Sequence, residues 1–102
     1  MDKIDESYRE RFRELMRQNL PHAKLDLVEV RAGENFDGEP SLFVKLVFAA
    51  KPADADFRAL RAVLRAFRTW LADEKADKRF PYIEVSTRAE ERSATAASHD
   101  RS

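Results

Sequence analysis

The chain has 102 residues, 43% hydrophobic and 37% charged, and its 19 lysines and arginines balance 19 aspartates and glutamates. That is enough for one domain with one core, too apolar for a disordered chain, and without a net field to draw it to nucleic acid or anionic lipid. No apolar run approaches the ~20 residues a membrane span needs, and the absence of cysteine removes disulfides, thiolate catalysis and thiolate zinc sites and points to a cytoplasmic address. The polar start MDKIDESYRERF lacks the apolar core of a signal peptide.

Residues 3–19 read as a helix, with Tyr8, Phe12, Leu15, Met16 and Leu20 on one stripe, an N-cap at Asp2 or Asp5, and Pro21 as the stop. Residues 24–31 read as a strand with a phase slip: Leu25 and Leu27 share one face, Val28 and Val30 the other, which predicts a bulge or cover on both faces. Residues 32–40, AGENFDGEP, read as a long loop, and residues 41–49 as a second strand pairing with the first as a hairpin. A helix at 55–75 follows, capped by Asp54, with Phe57, Leu60, Leu64, Phe67 and Leu71 at helical spacing and Val63 and Trp70 widening the stripe. Residues 80–87 form a third strand with Ile83 and Val85 inward, Tyr82, Glu84 and Ser86 outward, and Pro81 at its start or on an edge. Residues 88–102 show no apolar period and read as a flexible tail beyond a domain spanning 1–87.

The expected fold is α+β in the order α-β-β-α-β: a two-layer sandwich of a three-stranded sheet with both helices on one face. The other face then lacks cover while carrying apolar side chains. Phe43, Lys45, Val47 and Tyr82 on that face, with Phe36 on the loop, are the expected contacts for a protein partner or for a second copy in a dimer.

A second group of candidates lies on the second helix. Arg58, Arg61, Arg65 and Arg68 fall in one stripe, and only Arg58 has an acidic residue four positions before it. Either the first helix neutralises the stripe through Glu10 or Glu14, or it meets a phosphate backbone, which suits the two-pronged guanidinium. The loop carboxylates Glu34, Asp37 and Glu39 do not match the alternating spacing of a calcium loop. His22 and His99 stand alone, Ser41 and Ser86 have no base partner, and Gly33 and Gly38 form no phosphate-binding loop. No metal, cofactor or catalytic constellation is expected.

The element order over residues 3–87 resembles the type II KH arrangement and the ribosome-binding factor A family built on it. That resemblance implies RNA binding, although the GXXG loop of KH domains has no counterpart in this chain. Residues 38–44 and 79–82 are similar in character to segments of small bacterial proteins. The functional expectation is a non-enzymatic interaction module, for which an antitoxin-like neutraliser and an accessory subunit are equally compatible roles. The alternative is RNA or DNA binding through the arginine stripe.

Overall fold

A computed structural model describes residues 4–93. The elements are α1 (Glu6–Asn19), β1 (Leu25–Glu34), β2 (Pro40–Phe48), α2 (Asp54–Glu74) and β3 (Phe80–Thr87), followed by a helical stretch at 88–93. The protein is α+β with a mixed sheet in the order β1-β2-β3, β1 antiparallel and β3 parallel to β2. Among the described residues no helix is long and apolar enough to cross a membrane.

The chain path follows from lengths. The nine residues of β2 extend about 30 Å at about 3.3 Å each, and the 21 residues of α2 also run about 30 Å at about 1.5 Å each. The helix therefore returns the chain to the level where β2 began, and β3 can run parallel to it. As the central strand, β2 buries Leu42, Val44, Leu46 and Phe48 almost completely. They share one core cluster with Tyr8, Phe12, Leu15, Met16 and Leu20 of α1 and its end, and with Leu60, Val63, Phe67 and Leu71 of α2.

Asp5 is the N-cap of α1, its carboxylate accepting the Ser7 N–H at 2.9 Å; Asp2, the other candidate, lies outside the described residues. The cap of α2 is Ala53 and not Asp54; Asp56 reaches back to accept the Ala53 N–H at 3.0 Å, which lets a residue without a capping side chain serve. The phase slip in β1 is a bulge. Leu25 opposes Phe48 and Leu27 opposes Val47, so Asp26 is the extra residue. Leu25 thereby joins Val28 and Val30 against the core, and Leu27 is turned to the other face. Both strands reach further than their sequence suggests, β1 to Glu34 and β2 from Pro40, which shortens the loop to residues 35–39. On α2, Phe57 is exposed rather than part of the buried stripe.

The end of α2 carries a strained residue. Ala76 has φ +49°, in the left-handed region where a Cβ is unfavourable. It is held there because Asp77 donates its N–H to the Leu71 carbonyl at 3.0 Å. Ala76→Gly is expected to stabilise the fold by about 1 kcal/mol, seen as a higher urea midpoint with an unchanged denaturant slope.

A part-buried ionic link joins this turn to α1. Asp77 Oδ1 accepts from the Arg79 N–H and Nε, both at 3.0 Å, and Oδ2 accepts from Arg79 Nη2 at 2.7 Å and the Tyr8 hydroxyl at 2.8 Å. Lys75, next to it, bonds Asp5 at 3.2 Å and lies over the rings of Tyr8 and Trp70.

Candidate functional site

The loop between β1 and β2 is a built turn. The Asn35 carbonyl accepts the Gly38 N–H at 3.0 Å, and Asn35 Oδ1 accepts the N–H groups of Asp37 and Glu39, each at 2.9 Å. Gly38 closes the turn at φ +77°, a conformation glycine takes without cost. Asn35 Nδ2 reaches Glu39 Oε1 at 3.2 Å and the Tyr82 hydroxyl at 3.4 Å, tying the loop to β3. Phe36 occupies the first central position of this turn and its side chain is 109% exposed. The sequence leaves open whether Phe36 folds back or projects; it projects, from a loop fixed beneath it.

Register places Phe43 of β2 between Arg31 of β1 and Tyr82 of β3. The Phe43 and Tyr82 rings stack with centroids 5.6 Å apart, and Phe80 packs against Tyr82 at 4.9 Å. Arg31 lies over the Phe43 ring at 4.6 Å and bonds Glu84 at 3.0 Å. Gly33 makes this possible, since a Cβ there would stand 2.9 Å from Phe43 Cε2. The ring lies in the space that a side chain at 33 would fill. Phe36, Phe43 and Tyr82 thus wall a groove of about 480 Å³ that Glu34, Asn35, Asp37 and Glu84 also line. Three of the five expected docking residues converge here.

Lys45 and Val47, the other two, are occupied by the chain itself. Lys45 pairs with Glu91 at 2.7 Å, which holds its ammonium pKa above the ordinary value and the Glu91 carboxyl below it. Val47 is buried between Leu27 and Ser86 in the register. Ser86 donates to Glu91 at 2.8 Å, and Arg88 grips Asp26 of the bulge at 2.7 and 2.8 Å. Residues 88–93, read from sequence as the start of a tail, fold back in this way over the far end of the face. Polar pairs anchor them, so hydrophobic period gave no sign of them. The rest of the expected tail, residues 94–102 with His99, lies outside the described residues.

The arginine stripe is exposed along α2. Glu14 pairs with Arg11, and among the described residues no carboxylate bonds Arg58, Arg61 or Arg65. Arg68 lies over the Phe80 ring at 4.8 Å. His22 is exposed beyond the end of α1. Ser41 is buried and donates to the Glu39 carbonyl at 3.1 Å. Among the described residues no three histidines or carboxylates gather in metal-holding geometry. Comparison of the chain with protein-family models, curated proteins and solved structures found no match.

Proposed function

We propose that this chain is a non-enzymatic interaction module of the cytoplasm that docks a protein partner through the groove of Phe36, Phe43 and Tyr82. In this reading α1 and α2 form one layer over the Leu42–Phe48 side of the sheet, and the groove lies on the opposite side. The observation that carries the reading is Phe36: a wholly exposed aromatic on a loop braced by five hydrogen bonds to or from Asn35 within the loop and one to Tyr82. Holding a large ring in water on a braced loop gives folding nothing, while a pre-ordered aromatic is the type of anchor that dominates interfaces. A partner suits the groove better than a second copy does. Two copies joined groove to groove by a two-fold axis would bring two clusters of like negative charge together.

Phe36→Ala tests this. It is expected to leave stability unchanged within about 0.5 kcal/mol and to weaken a captured partner by about 2 kcal/mol, some thirtyfold. The measurement is affinity capture from the native host after nuclease treatment, with wild type and variant side by side and binding constants for proteins held by the wild type. Proteins retained equally by both would sink the reading.

A second reading rests on Arg58, Arg61 and Arg65, whose charges no carboxylate among the described residues neutralises. Here α2 binds the phosphates of RNA or DNA. Arg61→Glu/Arg65→Glu should then abolish a gel shift that wild type gives at low salt. The absence of any shift by wild type rules this reading out.

A further inference from the structure

We propose that the groove takes a basic side chain, an arginine or lysine carried on a segment of the partner protein, as its anchor; this rests on the reading of the groove as the docking surface. The occupant follows from charge complementarity. Three acidic residues, Glu34, Asp37 and Glu84, are among those that line the groove with the aromatic rings. Glu84 is engaged by Arg31, but among the described residues the carboxylates of Glu34 and Asp37 have no bonded partner. Phe36 between them presents an open ring.

The chain itself displays the chemistry, elsewhere with Lys75 over Tyr8 and Trp70 beside Asp5, and at the groove with a guanidinium. Arg31 sets its guanidinium 4.6 Å over the Phe43 ring while donating to the Glu84 carboxylate at 3.0 Å. An aromatic face beside a carboxylate satisfies both the quadrupole attraction and the hydrogen-bonding needs of a guanidinium. Phe36, with Glu34 and Asp37 close to it in sequence, offers the same residue types at the groove with no cation in place. A lysine or arginine entering there would lay its aliphatic stem along the ring and bring its head to the carboxylates.

Other occupants fit less well. A phosphate would meet three negative charges. A purely apolar anchor would strip water from Glu34 and Asp37 and return no hydrogen bond. The Arg58–Arg65 stripe of a second copy has the right charge, but it would join the groove of one molecule to a different surface of the next, a head-to-tail contact that makes rings or filaments rather than a two-fold dimer.

The test is a titration of the isotope-labelled full chain with the peptide acetyl-Gly-Arg-Arg-Gly-amide, followed by backbone amide shifts, with acetyl-Gly-Glu-Glu-Gly-amide as the control. The expected result is a saturable shift centred on Asn35, Phe36, Asp37, Gly38, Tyr82 and Glu84, given by the arginine peptide alone. Phe36→Ala and the double variant Glu34→Gln/Asp37→Asn should each weaken it about fivefold, and high salt should reduce it further. The proposal is overturned if the peptide moves nothing, if its shifts spread over Glu6, Glu10 and Glu14 of α1, or if either variant binds as wild type does. Concentration-dependent broadening of groove and α2 amides at low salt without peptide would also overturn it, naming a second copy as the occupant. So would an oligonucleotide that moves the groove amides. Failure of the peptide while partner capture still depends on Phe36 refutes the basic anchor and leaves the docking surface standing. A peptide that binds while capture ignores Phe36 refutes the docking surface instead.

Discussion

Phe67→Ala should cost about 4 kcal/mol of folding free energy, the range found when a buried phenyl is deleted and the site cannot collapse. Phe67 is fully buried. It meets Phe12 of α1 edge-on at 5.1 Å and stacks on Trp70 at 5.8 Å, and each such aromatic pair adds about 0.5–1.5 kcal/mol beyond the area it buries. The ring stands where both helices and the central strand meet, since Phe12, Phe67 and Val44 belong to one cluster. Neighbours on three separate elements cannot all move inward to fill the space. A domain of this size has about 5–15 kcal/mol of stability in total, so the variant should melt some 15–30 °C lower. Phe67→Leu, which keeps most of the volume, should cost about 1.5 kcal/mol. The two are compared by urea denaturation. Similar small losses for both would mean that the helices pack loosely on the sheet.

What the sequence displayed, and what it hid, divides along a physical line. Side-chain period reports which face of an element is buried, and it served well: Tyr8, Phe12, Leu15, Met16 and Leu20 are all buried as their spacing implies, and Leu42, Val44, Leu46 and Phe48 line the core side of β2. The break in period at Leu25–Val30 correctly marked the bulge at Asp26. Period says nothing about which strands are neighbours or how they are aligned. The parallel pairing of β3 with β2 depends on the length of α2, and that pairing alone brings Tyr82 beside Phe43. Phe36, Phe43 and Tyr82 could be named as contacts from sequence, but the acidic residues that line the groove with them, Glu34, Asp37 and Glu84, could not. Their approach depends on the Asn35 turn and on the ring of Phe43 lying over Gly33. Lys45 and Val47 were candidates on period alone; Lys45 is instead paired with Glu91 while still partly exposed, and Val47 is buried. Phe57 failed in the opposite sense: it sits in the first turn of α2 and is exposed.

The link from Asp77 to Tyr8 spans 69 positions and has no sequence signature, yet Asp77→Asn should cost about 3 kcal/mol at neutral pH. The substituted asparagine can still accept the Arg79 N–H through Oδ1. Its amide nitrogen then stands where Oδ2 receives the Tyr8 hydroxyl at 2.8 Å and Arg79 Nη2 at 2.7 Å, so a donor faces a donor. Arg79, with a side chain only 11% exposed, loses the one anion that balances it, and an uncompensated buried charge is the costly half of a broken pair. The pH dependence separates charge from shape. Hydrogen bonds from Arg79, reinforced by Tyr8, outweigh burial and hold the Asp77 carboxyl at about 2 against an ordinary 3.8. The depressed value means that the native state prefers the ionised form. This contribution of about 2 kcal/mol is fully present above about pH 4 and is lost as pH falls through the ordinary value to about 2. The amide of the variant cannot titrate, so the gap between wild type and variant should be widest at about pH 5–7 and narrow steadily toward about pH 2, as read from urea midpoints at each pH. A gap that stays constant across that range would show that the pair contributes by packing alone, and Arg79 would then find its compensation in water.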